Sequence, residues 1–159
     1  MFKKLLTPRS LCMSAVIAAL YAALTLLLAP ISFGPLQLRL SEALTLLPIL
    51  LPQAIPGLFV GCLIANLYTG MLTDIVFGSL ATLIAAIGTY SLRRKPLLAA
   101  ACPVAANALI VGLVLALSFH LPIPLIMLEV GLGELGAVAL GCVILSAMKR
   151  AKVDLTRLG

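Results

Sequence analysis

The amino-acid sequence predicts an all-α integral membrane protein: a bundle of six transmembrane helices with both termini cytoplasmic. Three observations predict it. The chain of 159 residues is 63% hydrophobic and only 10% charged, whereas a soluble domain is roughly half apolar and about a quarter charged. Its mean hydropathy is +1.24. The apolar residues gather into runs close to the ~20 residues a helix needs to cross a bilayer, and the basic residues flank those runs. Lys3, Lys4 and Arg9 form one group; Arg93, Arg94 and Lys95 a second; Lys149, Arg150, Lys152 and Arg157 a third. None carries interleaved aromatics or a groove-sized basic face, so the net charge of +6 reads as membrane flank and excludes a nucleic-acid surface.

The expected spans are 11–30, 36–52, 54–70, 72–92, 96–119 and 122–148, all within a single transmembrane domain. The first follows Lys3 and Lys4, as a signal peptide would, but its run is too long and lacks a clear small-residue cleavage site, so it is a retained helix. The second and third are short. Together they form two short spans or a hairpin dipping in from one side; charge parity supports the pair over a single span, because basic loops stay cytoplasmic and only an even number of crossings puts all three basic groups on one side. The breaks fall at Pro30, Gly34 and Pro35, at Pro52 and Pro56, at Gly70, around 93–96, and at Pro122 and Pro124, which is turn chemistry. Cys12, Cys62, Cys102 and Cys142 are far apart without metal-ligand spacing, so they are packing residues and no metal or cofactor is expected.

Depth then sorts the polar residues. Gln37, Arg39, Ser41 and Glu42 lie at the outer end of the second span. Asn66 and Tyr68 end the third, Asp74 opens the fourth, Asn107 is midway along the fifth, and Glu129 and Glu134 lie in the sixth. His120 falls in an outer loop and, like Glu129, is given no role. Ionisable groups in a bilayer are expensive and face the bundle interior or a water-filled cavity. Arg39 and Glu42, three residues apart, share a helix face and form either a structural ion pair or a pocket wall. Asp74 either caps its helix or joins the site. Four carboxylates against one arginine suggest a site open to the outside that takes a cation, a proton or a ligand rich in N–H donors. Small residues recur every fourth position at Ala15, Ala19 and Ala23, at Gly57, Gly61 and Ala65, and at Gly133, Ala137 and Gly141, a pattern of close helix packing. A phosphate loop, H-E-x-x-H and G-x-S-x-G are all absent, which argues against an ATPase or hydrolase within this sequence.

The stretches "LQLRLSEALTLLPILLPQAIPGLFVGCLIANL", "TDIVFGSLATLIAA" and "GLGELGAVALG" resemble the QueT family of queuosine-precursor transporters, substrate-binding S-components of energy-coupling factor (ECF) transporters. The resemblance covers most of the chain. It implies six helices with an outward pocket, no enzymatic activity of its own, and residence in the cell membrane. It implies a transmembrane coupling subunit and two cytoplasmic ATPases as partners. It implies a 7-deazaguanine substrate, 7-aminomethyl- or 7-cyano-7-deazaguanine, held by Glu134 and Glu42 as main anchors with Arg39, Gln37, Asn107, Asn66, Asp74 and Tyr68. Phe33, Tyr68 and Phe119 are candidates to stack on the base. The first helix would meet the coupling subunit through Ala15, Ala18, Ala19, Ala22 and Ala23. The competing readings are a proton-coupled secondary transporter with Glu134 as carrier, an S-component for another vitamin-like substrate, and a membrane scaffold.

Overall fold

The structure, a computed structural model, describes residues 7–33 and 39–151; Gln37 lies outside them. All regular elements among the described residues are helical. Helix α1 spans Pro8–Leu27, opened by Pro8 in its first turn and by Thr7, whose hydroxyl accepts from the Ser10 backbone N–H at 3.3 Å. A single turn, α2, follows at Ala29–Ser32. A 3₁₀ helix occupies Leu40–Ile49. Helix α3 runs Ala54–Thr69 and stops at Gly70, whose φ of 68° is the left-handed conformation glycine adopts without penalty. Helix α4 is Asp74–Ser91, α5 is Pro96–Phe119 and α6 is Ile123–Arg150. Both α4 and α5 contain a π-turn, at Asp74–Gly78 and Asn107–Val111 respectively.

Four of these helices, α1, α4, α5 and α6, are long and apolar enough to cross a membrane. The second and third expected spans are shorter than the sequence suggested. The 3₁₀ helix has ten residues and advances about 20 Å at ~2.0 Å per residue. The sixteen residues of α3 reach about 24 Å at 1.5 Å per residue. Neither alone matches a hydrocarbon core of ~30 Å. Pro48 lies inside the 3₁₀ segment and supplies no N–H to a helical ladder, and Thr45 spends its hydroxyl on the Glu42 carbonyl at 2.5 Å.

Helical packing places the 3₁₀ helix at the centre. Every residue from Ser41 to Leu46 is buried. On one side lies α1, and on the other α6, where Gly141 comes so close that an added Cβ would sit 2.5 Å from the Ala43 carbonyl oxygen. The glycine stripe of α3 packs on α1. A Cβ on Gly57 would meet the Ser14 carbonyl oxygen at 2.7 Å, and one on Gly61 the Ala18 carbonyl oxygen at 2.7 Å. Helices α4 and α5 form a hairpin across the basic turn at 93–95, joined by Thr89, which donates to the Ala99 carbonyl at 3.2 Å. Large apolar residues on the outward faces, such as Leu97, Leu109, Leu128 and Val143, are exposed, as lipid contact requires.

Gly61→Val should therefore force α1 and α3 apart. Overpacking of this kind costs about 1–3 kcal/mol, so a clear drop in the detergent-solubilised Tm is expected. The same change at Gly136, which is exposed on α6, should leave Tm nearly unmoved. Equal shifts at the two positions would mean that the α1–α3 seam is not close-packed.

Candidate functional site

Away from the basic turn, a set of polar side chains is buried among the helices. Glu42 comes from the 3₁₀ helix and is 1% exposed. Its Oε1 accepts a short hydrogen bond from the phenol of Tyr21 on α1. One turn further along α1, Thr25 donates to Ser41 at 2.7 Å. These two contacts fix the start of the 3₁₀ helix against α1. The ion pair expected between Arg39 and Glu42 is not what holds them. Glu42 Oε2 and Arg39 Nη2 are both buried without a hydrogen-bond partner. Arg39 instead lies over the Phe33 ring, 5.3 Å from its centroid, because it sits ahead of the 3₁₀ helix in extended backbone and so leaves the helix face that Glu42 occupies.

Arg39 remains within electrostatic reach of Glu42 and Asp74. Asp74 opens the π-turn of α4 and is buried. Its backbone carbonyl accepts from Asn66 Nδ2 at 2.8 Å. Gly78 closes the same π-turn, and a Cβ there would lie 2.9 Å from Asn66 Nδ2 and 3.9 Å from Arg39 Nη1. The absent side chain lets Asn66 and Arg39 approach one another. On the far side, Glu134 of α6 is electrostatically coupled to Glu42 and Arg39, with Asn107 of the α5 π-turn beside its carboxyl. Asn107 Nδ2, Glu134 Oε1 and Asn66 Oδ1 are also buried without partners. Buried polar atoms are satisfied in the great majority of cases, so five such orphans in one neighbourhood mark a candidate site.

At the rim, the Phe33 and Tyr68 rings are stacked with centroids 6.4 Å apart, and Tyr68 is 70% exposed. Phe119 is exposed and joins no ring contact among the described residues. His120, in left-handed backbone with φ of 56°, ends α5 and contacts the Leu117 carbonyl through Nδ1 at 3.1 Å. Glu129 is half-buried and lies about 140° around α6 from Glu134, at 100° per residue. Among the described residues, no three His, Cys, Asp or Glu side chains are grouped to hold a metal ion. Tyr21 is the residue that the sequence reading missed. Its signal was a buried polar row, Ser10, Ser14, Tyr21 and Thr25, along one side of an otherwise apolar helix.

On the first helix, Ala15, Ala19 and Ala23 are exposed, whereas Ala18 and Ala22 are buried within the chain, Ala18 directly under Gly61. Ala15 lines an apolar groove of about 880 Å³ that opens between α1, α3 and α4 beside Phe59, Val60 and Ile87, and ends at Tyr90 and Arg93.

Residues 11–150 match the family model described as "QueT transporter". A 72-residue region is 38% identical to the "Queuosine precursor transporter QueT" of Lactococcus lactis subsp. cremoris (strain MG1363). That alignment takes in 44% of this chain and 43% of the relative. No solved structure matches the chain.

Tyr21→Phe removes the hydroxyl that holds Glu42. A hydrogen bond to a charged group contributes about 1.5–3 kcal/mol, so Tm should fall. In a double-mutant cycle with Glu42→Gln, the combined loss should be clearly smaller than the sum of the single losses. Additive losses would mean that the two side chains do not act on each other.

Proposed function

Since this chain belongs to the QueT transporter family, we propose that it is the substrate-binding S-component of an ATP-driven ECF uptake transporter for a queuosine precursor. The observation that carries this reading is the group of buried, unpartnered polar atoms contributed by Arg39, Glu42, Asn66, Asn107 and Glu134. They offer acceptors on Glu42, Asn66 and Glu134 and donors on Arg39 and Asn107. A 7-deazaguanine is the complement. Its N1–H, N2–H and N9–H give donors, and O6 and N3 accept. The Phe33 ring, backed by Arg39 and Tyr68, is a surface on which a flat base packs well. The reading also agrees with the name carried by the Lactococcus relative, which speaks for a queuosine precursor over other vitamin-like substrates.

The same chain forms one transmembrane domain without a phosphate-loop motif, so ATP is hydrolysed by partner subunits. The groove beside Ala15 supports a docking surface for the transmembrane coupling subunit. It is apolar, it faces outward from the bundle, and the exposed Ala15, Ala19 and Ala23 let a partner helix approach closely. Substrate binds at the end of the bundle away from the basic turn, on the outer side by the positive-inside rule. Two cytoplasmic ATPases then drive reorientation through the coupling subunit.

Uptake of labelled 7-aminomethyl-7-deazaguanine into proteoliposomes separates this from a proton-driven carrier. The chain alone should bind the precursor but accumulate none under an imposed proton gradient. Accumulation should begin when the coupling subunit and both ATPases are added with ATP. Accumulation by the chain alone, abolished by Glu134→Gln, would favour the secondary transporter instead.

A further inference from the structure

We infer that the two buried carboxylates of this site, Glu134 and Glu42, have different tasks: Glu134, with Asn107, reads the guanine edge, and Glu42 receives a positive charge on the 7-substituent, so the site selects a cationic precursor over a neutral one. This rests on the reading of the chain as a deazaguanine binder, and it goes further by assigning the substrate's charge and the residue that senses it.

The assignment follows from what already occupies each carboxylate. Glu42 has Oε1 committed to the Tyr21 phenol and a single unpartnered oxygen, Oε2. It is held in place by a neighbouring helix and lacks one donor. Among the described residues no hydroxyl holds Glu134. Its Oε1 is unpartnered, and its neighbour is the amide of Asn107, with Nδ2 unpartnered as well. The guanine edge presents O6, N1–H and N2–H in a row. A carboxylate that accepts both N–H groups in parallel, next to an amide that donates to O6, matches that row in order and in polarity. The π-turn puts Asn107 at this position beside α6. In 7-aminomethyl-7-deazaguanine the substituent lies just beyond O6. Glu42 is the other carboxylate within electrostatic reach of Glu134.

Charge points the same way. Glu42, Asp74 and Glu134 share one guanidinium within electrostatic reach, that of Arg39, and all four are buried. When ionised, that set is short of positive charge in a region where an uncompensated buried charge is costly. A primary ammonium, protonated at neutral pH as any alkylamine is, supplies one. The nitrile of the 7-cyano compound does not.

The test is a titration of the purified chain with 7-aminomethyl-7-deazaguanine, 7-cyano-7-deazaguanine and unsubstituted 7-deazaguanine, in the wild type, Glu42→Gln and Glu134→Gln. One charge-assisted hydrogen bond corresponds to about tenfold or more in affinity. The wild type should therefore prefer the aminomethyl compound over the cyano compound by roughly that factor. Glu42→Gln should bring the ratio towards one, whereas Glu134→Gln should weaken both ligands and keep the ratio. The ratio is internal to each protein, and the wild-type value stands even if a variant does not fold. Equal wild-type affinities, or a ratio lost in Glu134→Gln and kept in Glu42→Gln, would overturn the assignment while leaving deazaguanine binding intact. No wild-type binding of any of the three would instead remove the functional reading, and this inference with it.

Discussion

The hydrogen bond between Tyr21 and Glu42 is the contact on which the rest of the arrangement depends. A 3₁₀ helix has poorer hydrogen-bond geometry than an α-helix and rarely runs beyond three or four residues. This one runs for ten, carries a proline and contains a carboxylate. It persists because its neighbours hold it on every side. Tyr21 and Thr25 fix its start. Ser14 fixes the chain beyond its end by donating to the Gln53 carbonyl at 2.9 Å. Gly141 admits its backbone from the opposite face. Without Tyr21, a buried carboxylate oxygen would face apolar helix surface, and the cheapest relief would be for the segment to leave the core.

Two further departures from regular helix serve the same neighbourhood. A π-turn inserts one extra residue and so rotates everything beyond it relative to a regular α-helix. The α4 π-turn begins at Asp74 and ends at Gly78, and the α5 π-turn begins at Asn107. Each delivers a polar side chain and a changed facing at the depth where Glu42 and Glu134 lie. The remaining stretches of α4 and α5 stay regular and apolar, and their job is to span. Irregular backbone is tolerated in a membrane only where it is buried in protein or lines a cavity; here it clusters where the unpartnered side chains do.

Much of this was legible in the sequence, for identifiable reasons. Hydropathy and charge flanks placed α1, α4, α5 and α6 to within three residues at either end, because a 20-residue apolar run has few alternatives. Ionisable residues in apolar runs marked Glu42, Asp74 and Glu134, because their burial cost requires a use. Spacing arguments went wrong where the backbone was not α-helical. The i to i+3 rule paired Arg39 with Glu42 as if both stood on an α-helix, but Arg39 precedes a 3₁₀ helix and turns to Phe33. Tyr21, in a helix of alanines and leucines, was given no role, although its place in the row from Ser10 to Thr25 pointed inward. Close approach of helices was foreseen from the glycine stripes, yet which stripe met which helix depended on tertiary contacts, and so Ala18 and Ala22 fell inside the bundle while Ala15, Ala19 and Ala23 stayed out.

The first helix joins the two regions of interest directly. Tyr21, which holds Glu42, and Ala15, which lines the groove, stand six residues apart on α1, about 9 Å along its axis at 1.5 Å per residue. Between them Ala18 is pressed against Gly61, leaving no space for a side chain. A helix gripped that tightly moves as a unit with α3 or does not move. The polar site and the groove therefore lie on one closely packed pair of helices, with no long chain of intervening side chains between them.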